Sequence, residues 1–489
     1  MNDRLFVNVS DVSYSHITGY LTTTVIAENP SITQLGHDID GYATSTGKFG
    51  WALSINGNGT IVAIGAYLND GTSIETTWNS GSVFVYEYDG TDWNQLGQSI
   101  DGEAADDRSG YSVSLSSDGT IAAIGAFNNE GTGADEMGHV RIYQYDSVGD
   151  IWNQIGQDID GEATNDRSRA VSINSDGTIV AIGAFQNDGT GAADAGHVRI
   201  YQYDSDNDIW NKLGQDIDGE GSGDDSGDAI SLNSDGTIVA IGAYLNDGTG
   251  AADAGHVRIY QYDSGNDIWN QLGNDIDGEA SGDQSGYSVS LNGDGTIVAI
   301  GAPKNDGTGA GNEGHVRIYQ YNGNVWNQLG QDIDGEAYND WFGSSVSLND
   351  SGTIVAIGAK QNDGTGAGDA GHVRIYQYDS GNDIWNQLAY DIDGEASSDN
   401  SGWAVSISDD GSRVAIGANN NDANATNAGH VRVYELETTT TTTPIYHSIH
   451  SDVDSSGTFS ADTDLNNTMI VPGNITIVDS SNNSYGAYT

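Results

Sequence analysis

Along most of the chain, short apolar stretches alternate with polar turns at an even spacing, and the same pattern is said seven times. A clean copy spans residues 269–324, WNQLGNDIDGEASGDQSGYSVSLNGDGTIVAIGAPKNDGTGAGNEGHVRIYQYNGN. Within it GYSVSL alternates apolar and polar positions, the period of a half-buried strand. A tight turn at Asp294-Gly295 follows, a pair that tolerates the positive φ of a hairpin. TIVAIGA is then a continuous β-branched run, as in a strand buried on both faces. A Gly-rich loop leads into HVRIYQY, and VWNQLGQDI supplies a fourth strand. No stretch has the spacing of an amphipathic helix, so the pattern predicts an all-β chain.

The repeat has a regular step. Its tryptophans fall at Trp93, Trp152, Trp210, Trp269, Trp326 and Trp385, separated by 59, 58, 59, 57 and 59 residues. One such unit cannot bury its own faces and must stack on its neighbours. Seven four-stranded units in tandem predict a seven-bladed β-propeller, in which radial repetition leaves only short edges. The last repeat ends at His430-Val431-Arg432-Val433-Tyr434 without its WNQLG strand, whereas Ile32-Thr33-Gln34-Leu35-Gly36 supplies an orphan copy at the start. That N-terminal strand is expected to complete the seventh blade; an open solenoid would leave it unpartnered. The expected organisation is a β-leaning extension at 1–30, the propeller at 31–437, a Thr-rich linker at 438–444 and a polar tail at 445–489. Triplets of the N-x-[ST] type, headed by Asn8, Asn58, Asn424, Asn466, Asn474 and Asn482, hint only weakly at secretion.

The stretch GYSVSL…IVAIGAP resembles the FG-GAP repeat of integrin α-chain propellers. Phe49-Gly50 and Phe342-Gly343 match the first element, and Gly301-Ala302-Pro303 the second, over residues 31–437. The resemblance implies a ligand-binding or adhesive domain outside the cell, with calcium in loops of the form DxNxDGxxD. Asn233-Ser234-Asp235-Gly236-Thr237 keeps the central Asp-Gly but has Val239 at the next acidic position, so calcium is not carried over to these hairpins.

Charge narrows the partners. With 71 acidic and 15 basic residues the net charge is −56, which repels phosphate backbones and argues against nucleic acid. Cations or basic partners are the counterparts, although acidity also simply keeps a repetitive β-protein soluble. The absence of cysteine excludes disulfides and thiolate chemistry. No apolar run reaches the roughly 20 residues that span a bilayer. Residues 1–30 carry no recognisable signal peptide.

The segment DIDGEASGD keeps a ligand-like spacing, with acids at relative positions 1, 3, 5 and 9. The sets are Asp158/Asp160/Glu162/Asp166, Asp216/Asp218/Glu220/Asp224, Asp275/Asp277/Glu279/Asp283, Asp332/Asp334/Glu336/Asp340 and Asp391/Asp393/Glu395/Asp399. Ser99 and Tyr42 interrupt the pattern in the second and first repeats. Alternating carboxylates before a bend can converge on Ca²⁺; the alternative is an Asx-turn for one Asp and an arginine partner for another. The histidines of GHVR (His139, His197, His256, His315, His372 and His430) lie in separate blades, cannot meet at one zinc, and read as structural. The arginines two residues on call for carboxylate partners, giving an expected Arg–Asp or Arg–Glu ring between blades.

Identical repeats carry fold, and divergent positions carry recognition. Residues 187–205 and 246–264 are letter-for-letter the same. The inner strand is entered by Trp403, Trp51 and Tyr111 on three consecutive blades, then by Ala170 and Asp228. A longer loop brings Ile74, Glu75 and Trp78 to the same face, so Trp51, Trp78, Tyr111 and Trp403 form a candidate ligand cluster, unless these rings merely cap the channel. Trp341-Phe342 is a weaker second candidate. The resulting expectation is a non-enzymatic, extracellular or surface-displayed module presenting an acidic face to a protein or glycan. The alternative is a subunit of a virion, sheath or filament, joined to copies of itself through 1–30 and 445–489. A propeller hydrolase would need unique acids at the channel mouth.

Overall fold

The computed structural model describes residues 31–437, except 42–46, 72–77, 131–135, 190–191, 249–250, 308–310, 365–367 and 423–424, together with 20–21, 475–478 and 484–488. Tyr42, Ile74, Glu75, the linker, the sequons other than Asn58, and most of both terminal segments lie outside the described residues.

Seven antiparallel sheets each use four strands, and the described residues contain no helix. The second blade is typical, with Ser109–Leu115 innermost, then Ile121–Ala126, His139–Asp146 and Ile151–Gln154. The outermost strand arrives in two pieces. Gly156 takes φ 69° and turns the chain, and Ile159–Asp160 rejoins the same edge opposite His139 and Val140. The second and third residues of each acidic segment are therefore edge strand rather than loop.

The ring closes as its ends require. Ser31–Gln34 pairs with His430–Glu437, Ile32 opposite Leu436 and Gln34 opposite Tyr434. An open solenoid is excluded. One apolar cluster joins Ala415, Val431 and Val433 of blade seven to Val62, Ile64 and Phe84 of blade one. Each such side chain taken from water stabilises the seam by about 1.5–3 kcal/mol.

Three polar ladders explain why the repeat is spelled so strictly. An innermost strand exposes edge N–H groups that must find acceptors. The second serine of SVSL provides them across each boundary: Ser54 Oγ accepts from Leu115 N–H, Ser114 from Ile173, Ser172 from Leu232, Ser231 from Leu291, Ser290 from Leu348, Ser347 from Ile407 and Ser406 from Ile55. Below it, backbone amides form an unbroken circle, Gly57 to Ser117, Ser175, Ser234, Gly293, Asp350, Asp409 and back to Gly57, at 2.8–3.0 Å. Outside, each tryptophan docks on the preceding blade, as where Trp152 Nε1 donates to Leu96 O at 2.9 Å. The glycine of AIGA is forced by close approach, since a Cβ at Gly183 would sit 1.9 Å from Gly227 O.

The terminal unit is a three-stranded sheet of Tyr20–Leu21, Ile475–Val478 and Ser484–Tyr488.

Candidate functional site

Each blade enters its inner strand through a tight turn, one residue shorter in the third blade, and there the repeat stops repeating. The turn holds a non-glycine residue at positive φ in every blade: Lys48, Arg108, Arg167, Asp225, Gln284, Trp341 and Asn400, all at 53–60°. In five blades its carbonyl accepts from the amide three residues on, as Lys48 does from Trp51 (3.1 Å), Asp225 from Asp228 (3.3 Å) and Asn400 from Trp403 (3.1 Å). Such a conformation costs about 1–2 kcal/mol for an L-residue, and strain held at seven positions with six kinds of side chain marks a surface built for something other than folding.

Side chains from these turns, from the strand entries and from the ends of the AIGA strands make a belt round the channel mouth. Trp403 stacks on Trp51 (ring centroids 4.4 Å apart), and Trp51 on Tyr67 (4.5 Å) and Tyr111 (5.3 Å). Arg169 lies over Tyr111 (4.6 Å) and Phe185 (3.9 Å) and pairs with Asp228. Tyr244 donates to Asp225 (3.1 Å) and meets Tyr287 edge-on (5.6 Å). Lys360 donates to Tyr287 Oη (3.2 Å), lies over Trp341 (5.1 Å) and over Trp403 (4.0 Å), and so returns the belt to its start.

Three of the four expected aromatics are therefore together, Trp51, Tyr111 and Trp403. Trp78 stands apart at 57% exposed, its carbonyl accepting from Asp106 N–H. Of the weaker pair, Trp341 joins the belt while Phe342 is fully buried core. Arg169 takes the place that sequence spacing gave to Ala170, because the third blade passes from Ser168 to Ala170 through one residue where the second uses two between Ser109 and Ser112. The 58-residue step after Trp152 was the signal for that deletion. Lys360, Tyr244, Tyr287 and Asp225 were equally legible as departures from the repeat.

Burial raises the Asp225 carboxyl to about 6, with the hydrogen bond from Tyr244 opposing and the Asp228 charge assisting. Burial lowers the Lys360 ammonium to about 8. Tyr287 is pushed up to about 12, chiefly by burial, and Tyr244 higher still. The mouth thus holds a carboxylate and an amine that both titrate near neutrality, among aromatic walls, which suits proton transfer.

The acidic segments are shared out between blade boundaries rather than gathered one segment at a time. Asp158 joins Glu103 and His139, whereas Glu162 of the same segment joins His197 and Asp216. Three further groups are Glu220/His256/Asp275, Glu279/His315/Asp332 and Asp38/Glu395/His430, each with ligand-type atoms within 4.8 Å of one another, so the described residues contain groups that could hold a metal ion. In the sixth blade, His372 lies 4.0 Å from Asp391. The third-position acids Asp160, Asp218, Asp277 and Asp393 offer their carbonyls to the next arginine at 2.8 Å. Asp334 is the strand partner of His315. The ninth-position acids Asp166, Asp224, Asp283, Asp340 and Asp399 accept amide N–H bonds within their own turn and the side chain of an asparagine. Each glutamate, from Glu103 to Glu395, faces the arginine of the next blade, Glu162 at 3.6 Å and Glu279 at 3.4 Å from theirs and Glu336 closest of all to Arg374. The expected interblade ion pairs are present.

No family model matches the chain, and no curated protein does. Solved structures with a similar fold include a protein provisionally described as a 6-phosphogluconolactonase from Bacteroides uniformis, 11% identical over 75% of this chain and 97% of that one, TM-score 0.51. A periplasmic gluconolactonase from Pseudomonas aeruginosa is 13% identical over 86% of this chain and 96% of its own, TM-score 0.50. At such identities the likeness is one of fold. The expectation of a non-enzymatic, integrin-like, calcium-loaded adhesion module is corrected, and with it the virion or filament subunit. The two propellers just named are called lactonases, and among the described turn and strand-entry residues Asp225 and Asp228 are acids that the other blades do not repeat.

Proposed function

We propose that the protein is a hydrolase of small, polyhydroxylated lactones, working at the channel mouth. The observation that carries this is Asp225, a carboxyl raised to about 6 on a turn held at φ 54°. A base of that strength is ionised at neutral pH and can still take a proton, the condition for efficient general-base catalysis. Asp225 draws a proton from a water whose oxygen adds to the lactone carbonyl carbon. The oxyanion that forms is stabilised by the cations of the belt, Lys360 and Arg169. Collapse breaks the ring C–O bond, the leaving alkoxide takes back the proton, and a hydroxy acid departs. Trp51, Tyr111 and Trp403 offer flat faces to the C–H side of a sugar ring.

The lactone class rests on the names of the two propellers of similar fold, and a compartment outside the cytoplasm on the word periplasmic in one of them. The purified protein, offered gluconolactone and its 6-phosphate in a pH-stat, is expected to release acid well above the spontaneous rate, and Asp225→Asn to lose 10²-fold or more. Rates at background with both substrates would sink the reading.

A further inference from the structure

We infer that the blade boundaries that carry a histidine are divalent-metal sites, each built from the glutamate of one blade and the histidine and first aspartate of the next, with zinc-type rather than calcium-type chemistry. The site at the ring's closure shows it most directly. His430 is 1% exposed, and its Nδ1 is buried with no hydrogen-bond partner. That atom points between Asp38 Oδ2 and Glu395 Oε2, 3.8 Å from each. The separation is too long for a hydrogen bond, yet a cation bonded at about 2.0–2.2 Å to each ligand needs its ligand atoms spread wider than a hydrogen bond would hold them. Leaving a buried imidazole nitrogen without a partner is costly, and a cation between the three groups removes that cost.

The carboxylates are oriented for it. In each, one oxygen faces a neighbouring polar side chain and the other is turned toward the histidine. Gln34 Nε2 donates to Asp38 Oδ1 at 2.6 Å, leaving Oδ2 toward His430. Arg432 faces Glu395 Oε1 at 3.8 Å, leaving Oε2. The arrangement recurs at the fifth blade. There Gln328 holds Asp332 Oδ1 (2.6 Å), Arg317 faces Glu279 Oε1 (3.4 Å), and Glu279 Oε2 lies 3.9 Å from His315 Nδ1. Fixing a ligand's outer atom from a second partner is how proteins preset metal sites. At this boundary a cleft of about 410 Å³ opens onto Glu279, His315 and Asp332, so an ion has a way in.

One imidazole and two carboxylates suit zinc and its first-row neighbours, whereas calcium asks for six to eight oxygens. The first boundary is the internal control: Ser82 replaces histidine there and its hydroxyl donates to Asp101 at 2.8 Å.

The test uses the full chain, stripped with chelator, dialysed against ZnCl₂ or CaCl₂, freed of unbound ion and analysed for metal. Five or more zinc ions per chain are expected, matching the groups at the boundaries, with calcium well below that. His315→Asn and Asp332→Asn are each expected to lower zinc by one ion, with the remaining sites and the far-ultraviolet circular dichroism intact. Zinc is also expected to raise Tm by several degrees. Less than one zinc per chain, calcium retained in preference to zinc, or zinc uptake unchanged in both variants would overturn the assignment.

Discussion

Arg169 and Asp228 form an ion pair across the boundary between the third and fourth blades, with side chains only 12% and 19% exposed, and Arg169 is at once stacked on Phe185. Removing one partner leaves the other charge desolvated and alone, which costs about 3–5 kcal/mol. Arg169→Ala should therefore lower the unfolding free energy by roughly 3 kcal/mol. Arg169→Met with Asp228→Asn should recover most of it, because no bare charge remains. Denaturant titration of the three proteins checks this.

Activity should follow a bell in pH. Asp225 must be ionised to act as a base, so the rate rises through about 6, and Lys360 must keep its proton, so it falls through about 8. Asp225→Asn should remove activity, and Lys360→Met should remove the alkaline limb from what activity is left. Stability responds with the opposite sense at Asp225. Its folded pKa is raised, so its contribution is full below 3.8 and is lost as pH rises through about 6. Relative to Asp225→Asn, the parent protein should lose Tm across that window and hold level above it.

The serine ladder offers a cleaner measurement. Ser172→Ala strips from Leu232 N–H the acceptor that it uses across the blade boundary. The cost should be about 1–3 kcal/mol, against near neutrality for the exposed Ser281→Ala. Thermal unfolding of the pair decides it.

Gly183→Ala should be worse. The added methyl would meet Gly227 O at 1.9 Å, backbone against backbone, and a shift of one blade against its neighbour is the only relief. Loss of soluble protein or a Tm lower by 10 °C or more is expected, read by expression and calorimetry.

Much of this molecule could be read from its letters because repetition turns one inference into seven. The period, the four strands and the closing segment all followed from spacing, since a strand such as TIVAIGA admits few other fates. The sharing of Asp158 and Glu162 between two boundaries did not follow, because local spacing cannot reveal that Ile159–Asp160 pairs at the blade's edge, with Asp158 on one side of that pairing and Glu162 beyond it. Arg169 was missed for a related reason. Alignment by neighbouring letters placed Ala170 at the strand entry, and only the register against Ala184 and Gly183 shows the shortened turn. The chemistry of Asp225 and Lys360 was invisible for a third reason: their shifted protonation comes from burial, which a sequence does not state.

The pairing of Ile32 with Leu436 also sets an order of events at the ribosome. A nascent chain releases this strand before any blade and must carry it, unmatched, until the last blade is out. Closing so long a loop is entropically slow, so an early-made edge stays open for most of synthesis. The last blade made therefore decides when the first strand of the ring is safe.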